Sequence, residues 1–173
     1  VFLMASGMAG NRLIADANDP ALADFRAALA TVMRDLAIQI VRDGEGATKL
    51  VTVDIAGAKT NAIARQIGLA IANSPLVKTA IAGEDANWGR IVMAIGKLGI
   101  GIPSDAISID IGGYAVARDG MRIADYDETP IAAHMTGQMI DLAVTIGTGD
   151  GTARVWTCDL THGYISINAD YRS

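Results

Sequence analysis

The sequence predicts an α+β fold: part of a layered α/β sandwich with helices packed on a sheet, plus a smaller C-terminal α+β subdomain. Three observations predict it. Apolar residues recur at helical spacing over residues 22–40. Period-2 alternations crowd into the second half of the chain. Between them Gly99-Ile100-Gly101-Ile102-Pro103 is a turn-rich connector. The expected division is residues 1–82 as part of the main α/β domain, 83–159 as the smaller subdomain, and 160–173 as a last strand and tail. A chain of 173 residues suffices for one large domain or two small ones with genuine cores. With 51% hydrophobic but only 5% aromatic residues, those cores must be built from Ala, Ile, Val, Leu and Met.

Taken in order, Asn18-Asp19-Pro20 starts a helix, with Asp19 as N-cap and proline in the first turn. Leu22, Phe25, Leu29, Val32, Met33, Leu36 and Ile40 form its apolar stripe, and Gly44 is expected to end it in the left-handed conformation. Residues 50–55 read as a strand with Val51, Val53 and Ile55 on one face. Thr60 or Asn61 caps a second helix to about residue 73. Ser74-Pro75 restarts the chain, and residues 76–82 fit a short helix or a strand equally well. Asn87 caps a third helix over 88–98. Past the connector, Ile107, Ile109 and Ile111 alternate, and 114–118 pairs with 121–124 across Asp119-Gly120, a hairpin signal. Thr129-Pro130 opens a short helix to about 137. Residues 139–146 and 153–158 are expected to form another hairpin over the glycine-rich stretch 147–151. The alternation of Tyr164, Ile165, Ser166 and Ile167 reads as a final strand.

Composition excludes several function classes. Fourteen basic against nineteen acidic residues give a net charge of −5, with no Lys/Arg cluster, so nucleic acid is not an expected partner. Arg34, Asp35 and Arg65 interrupt the apolar stretches before they reach membrane-spanning length. The single cysteine, Cys158, rules out an internal disulfide framework and points to a reducing compartment, the cytoplasm. The chain opens in an apolar run without an initiator Met and is expected to be a piece of something longer, with apolar surface to bury against a partner.

The clearest chemical signal is Gly44-Glu45-Gly46, one carboxylate between two glycines where a helix gives way to a strand. It is no phosphate loop, which runs from strand to helix and whose anion a carboxylate would repel. Glu45 suits acceptance from an ammonium group; the alternative is a solvated turn. The second glycine leaves the backbone bare, so that a small ligand can come close. Glu84 and Asp85 precede a helix and complement its dipole better than they fit a metal site. Trp88 is expected to be a packing anchor. Cys158, Asp159 and His162 invite a triad, but spacing along a chain is no evidence of triad geometry; a small, buried Cys158 is the ordinary reading. His134 has no partner in view. At the C-terminus Asn168, Asp170, Tyr171, Arg172 and Ser173 crowd polar groups where chains usually fray. Asn168 can donate and accept, and Ser173 offers a hydroxyl and the terminal carboxylate.

Four segments, in order along essentially the whole chain, resemble the ornithine acetyltransferase (glutamate N-acetyltransferase) family of arginine biosynthesis. They are residues 41–49; Ser74-Pro75-Leu76-Val77-Lys78-Thr79-Ala80-Ile81; Gly83-Glu84-Asp85-Ala86-Asn87-Trp88-Gly89-Arg90-Ile91; and Cys158-Asp159-Leu160-Thr161 through Asn168-Ala169-Asp170-Tyr171. The resemblance implies a precursor that cleaves itself before a threonine into an α chain and a β chain. That threonine becomes the nucleophile, with its own α-amine as the adjacent base. It takes acetyl from N-acetylornithine and passes it to glutamate, an oxyanion hole stabilising the intermediates. No cofactor is implied, though acetyl-CoA stays open as an alternative donor.

By the same resemblance this chain is the C-terminal portion of the β chain. Its nucleophilic threonine lies upstream of Val1, it holds no catalytic residue, and alone it is expected to be inactive. Substrate binding falls on Glu45, Asn168 and Ser173, with residues 160–173 returning to the active site. The implied partners are the α chain and the upstream β-chain segment, in a hetero-oligomer of α and β chains that acts on amino acids. Two other readings remain: an N-terminal-nucleophile aminopeptidase of similar fold, and a non-catalytic domain whose apolar start mediates assembly.

Overall fold

The computed structural model describes residues 2–124 and 126–170. By its contacts the chain divides into residues 1–37 and 38–173. In the first unit Asp19 accepts from the Ala21 amide at 2.9 Å, as predicted, and caps a short 3₁₀ turn, Pro20–Leu22. That turn runs into α1 (Ala23–Arg42), of which no residue is buried. Of the apolar stripe read from the sequence, Phe25, Val32, Met33 and Ile40 are exposed, Ile40 at 71%, while Leu22, Leu29 and Leu36 are half-buried.

In the second unit six strands form one sheet in the order β4-β3-β2-β5-β1-β6. These are β1 (Leu50–Gly57), β2 (Ile107–Ile111), β3 (Tyr114–Arg118), β4 (Met121–Arg122), β5 (Met139–Ile146) and β6 (Gly149–Cys158). Backbone hydrogen bonds thus join β1 to β5 and β6, drawn from residues 139–158. The Asp119-Gly120 hairpin forms as predicted, both residues taking positive φ (50° and 72°).

The second predicted hairpin does not form. β1 lies between its two arms, parallel to β5 and antiparallel to β6. The glycines explain this. A Cβ on Gly57 would overlap the Gly147 carbonyl, and one on Gly149 would overlap Ala58. The glycine-rich stretch is therefore a crossing over the end of β1 rather than a tight turn.

Val51, Val53 and Ile55 of β1 share a buried face with Ile109, Leu142, Val144 and Val155. Helices cover that face: α2 (Asn61–Ala72), α3 (Pro75–Ala82), α4 (Trp88–Gly96) and α5 (Glu128–Met135). Thr60, Ser74 and Asn87 cap the first three by accepting the amides of Ile63, Val77 and Arg90. The Ser74 cap, with Pro75 behind it, decides residues 76–82 as helix. Asp127 caps α5, two residues earlier than the Thr129-Pro130 signal suggested. Gly68 lets α2 approach the sheet, since a Cβ there would meet Val155 at 3.0 Å. Trp88 packs against the core, as expected. On the other face Asp110, Ala143, Asp54 and Arg154 form one cross-strand row. Arg154 is bidentate to Asp54, and that hydrogen-bonded carboxylate raises the guanidinium above its ordinary pKa.

The predicted last strand is a helix, α6 (His162–Asp170). Thr161 accepts the Gly163 amide at 3.0 Å and so caps it, Ser166 bonds back to the His162 carbonyl, and Asn168 to that of Tyr164. These local bonds decide the conformation where four alternating residues could not. Nor is Gly44 the left-handed residue after α1: Gly46 takes that conformation, with φ 68°.

Candidate functional site

Past α1 the Gly44 amide donates to the Val41 carbonyl (3.3 Å) and the Ala47 amide to that of Gly44 (2.9 Å), closing a turn with Glu45 at its tip. A Cβ on Gly46 would overlap the Tyr164 amide nitrogen, and one on Gly163 would lie 3.1 Å from the Gly46 Cα. Two glycines thus let the turn and the start of α6 meet backbone to backbone. The chain itself makes the close approach at Gly46 that the sequence assigned to a ligand.

Further hydrogen bonds surround this meeting. Asp159, just beyond β6 and only 3% exposed, accepts from the amides of Thr48 (2.8 Å) and Lys49 (3.0 Å) through Oδ1, and from the Thr48 hydroxyl (2.5 Å) through Oδ2. The Thr161 hydroxyl donates to the Gly46 carbonyl at 2.6 Å. Beneath the turn, the buried Lys49 ammonium donates to Glu84 at 3.1 Å and to the Met135 carbonyl. Glu84 adopts φ 59°, rare for a residue with a Cβ. It therefore anchors a lysine, a role its placement before a helix did not reveal.

At the tip the Asn168 amide nitrogen donates to Glu45 Oε2 at 2.7 Å and to the Tyr164 carbonyl at 2.9 Å. Both of those partners only accept, so the amide orientation is fixed and Asn168 Oδ1 is what remains to offer a ligand. The structure thus brings together two of the three predicted site residues; Ser173 lies outside the described residues. Thr48, Lys49 and Thr161 have no role in the sequence reading, and Asp159 only a place in the considered triad. Only Thr161 carried a local signal, that of a helix N-cap. The triad dissolves, because Asp159 is committed to residues 48–49 and the Cys158 sulfur faces the Lys78 ammonium at 3.8 Å. His134 does have a partner, its Nε2 accepting the Asp141 amide at 3.0 Å.

Two hollows flank the turn. One of about 380 Å³ is lined by Thr79, Gly83, Thr161, His162 and Ile165 among others. The other, about 230 Å³, is lined by Arg42, Thr48, Lys49 and Met139 among others. Among the described residues no three His, Cys, Asp or Glu side chains converge as a metal site, and no helix is long and apolar enough to cross a membrane.

The arrangement is therefore an exposed acceptor pair on a rigid base, and comparison with known proteins gives it a context. The ArgJ family matches residues 1–173. The chain belongs to the ArgJ family. It is 58% identical over its full length to the arginine biosynthesis bifunctional protein ArgJ of Gluconobacter oxydans and 54% identical to that of Zymomonas mobilis. It covers 41% and 42% of those proteins, so it spans about two fifths of the curated ArgJ relatives it matches. The crystal structure of the ArgJ protein of Bacillus halodurans superposes with a TM-score of 0.89 at 41% identity, covering 97% of this chain and 78% of that one. The mixed α+β fold is thus shared with a solved ArgJ structure. These matches favour neither the aminopeptidase nor the assembly-domain reading.

Proposed function

We propose that this chain supplies substrate-recognition groups to a glutamate N-acetyltransferase of arginine biosynthesis, which moves acetyl from N-acetylornithine to glutamate. The nucleophile is a threonine hydroxyl at the start of the β chain, upstream of Val1. It attacks the acetyl carbonyl; the C–N bond breaks, the leaving amine takes a proton, and ornithine departs. The glutamate amine then attacks the acetyl ester, releasing N-acetylglutamate and returning the hydroxyl. The α chain and the preceding β-chain segment complete the site in a cytoplasmic hetero-oligomer.

Glu45 and the Asn168 amide oxygen make a paired acceptor for a substrate ammonium, and Ser173 serves the polar end of the amino acid. The observation that supports this is the 2.7 Å contact between Glu45 and Asn168, which meet across 123 residues at an exposed tip. An exposed turn carboxylate contributes little to stability, so its replacement tests recognition alone. In the complete enzyme, Glu45→Ala should lower kcat/KM for acetyl transfer by the equivalent of about 2–4 kcal/mol with little change in Tm. Wild-type kinetics in a folded Glu45→Ala enzyme would sink the proposal.

A further inference from the structure

We infer that Asp159 is a positioning residue for substrate binding, setting the Glu45–Asn168 acceptor pair without touching substrate; this rests on the function proposed above. Glu45 is exposed at the tip of its turn; besides the bond from Asn168, its placement depends on how the chain on either side of the turn is held. The base of that turn is the pair of amides of Thr48 and Lys49, and both donate to one buried carboxylate oxygen. A carboxylate buried this deeply is costly unless its acceptors are filled. Here two amides and a hydroxyl fill them, in charge-assisted bonds short enough to hold residues 48–49 closely.

Two residues further on, Thr161 accepts the amide that starts α6 and donates to the Gly46 carbonyl. Asn168 rides on that helix. The stretch Asp159-Leu160-Thr161 therefore fixes both halves of the pair: one end grips the turn that carries Glu45, the other begins the helix that carries Asn168. The Leu160 amide, bonded to the Lys78 carbonyl, ties the stretch to α3. A binding constellation needs its members held to about 0.5 Å; the 2.7 Å bond from Asn168 joins the two side chains directly, and Asp159 and Thr161 hold the two backbones from which they reach.

The test is a double-mutant cycle in the complete enzyme, pairing Asp159→Asn with Glu45→Ala and following steady-state kinetics and Tm. Asparagine keeps the size and one acceptor oxygen but loses the charge and the second acceptor. Alone, Asp159→Asn should raise KM for the amino-acid substrates about fivefold or more, with kcat within about twofold. In the Glu45→Ala background the same change should move KM less than about twofold, because the group it positions is gone. Equal KM effects in both backgrounds, or an unchanged KM in the single variant, would overturn the inference. Should Asp159→Asn fail to fold, Thr48→Val carries the same cycle, since it leaves both amide bonds in place; its KM effect should likewise vanish beside Glu45→Ala, and persistence would overturn the inference. Glu45→Ala with wild-type kinetics removes the proposed function itself, whereas an impaired Glu45→Ala with additive partners removes only the role of Asp159.

Discussion

Gly44 and Gly46 flank the same carboxylate yet carry different constraints. At Gly46 a side chain would both strain a left-handed backbone and overlap the Tyr164 amide. At Gly44 a Cβ would meet chiefly the Cys158 sulfur at 3.1 Å. Gly46→Ala should therefore cost about 1–2 kcal/mol from the backbone conformation alone, and more from displacing α6. Gly44→Ala should cost well under half of that. Thermal denaturation of the two variants checks the ranking, and equal Tm losses would contradict it. Asn168 offers a second contrast at this scale. Asn168→Asp places two carboxylates against each other, so it should weaken substrate binding more than Asn168→Ala, which loses one hydrogen-bonding group worth about 0.5–1.5 kcal/mol. Comparison of KM for the two variants decides this.

At the scale of elements, what the sequence revealed followed the range of the interactions involved. The caps at Asp19, Thr60 and Asn87 act on amides two or three residues away, so they were legible, as was the Asp-Gly turn, whereas the Ser74 cap was read only as a restart of the chain. The hairpin of 139–146 with 153–158 was not, because its failure depends on a strand from residues 50–57 inserting between the arms. α6 was misread for a different reason. Its residues leave no buried face, so the alternation read there marks no packing; only the Thr161 cap and the polar back-bonds distinguish it. Glu45 and Asn168 could be proposed from sequence because they belong to quotable motifs. Asp159 could not be given its role, since its partners are 110 and 111 residues away. The cap carries a prediction of its own. Thr161→Val should cost about 0.5–2 kcal/mol, and amide hydrogen exchange in residues 162–170 should quicken well before that in β1. Uniform acceleration across the chain would mean that α6 is no separate unit.

For the whole molecule, helices cover one face of the sheet, and four apolar residues of α1, Phe25, Val32, Met33 and Ile40, are exposed. A chain spanning about two fifths of its relatives' length is then expected to lean on the remainder. Purified alone, these 173 residues should transfer no acetyl from N-acetylornithine to glutamate and should self-associate through the α1 stripe. Turnover by the isolated chain would reopen the search for a nucleophile within it, Cys158 first, and a monodisperse monomer in sedimentation would show that the stripe needs no cover.

The insertion of β1 between β5 and β6 also bears on how the polypeptide reaches this state. Leu50 pairs with Met139 on one side and Cys158 on the other, so both hydrogen-bonding edges of β1 wait for residues made about 90–110 positions later. At ribosomal speed that interval is about 5–20 s. Throughout it Val51, Val53 and Ile55 form a nascent strand without neighbours, the kind of segment that chaperones shield and aggregates recruit. The two strands that finally enclose it arrive almost together, so the sheet is completed late, in one slow long-range step.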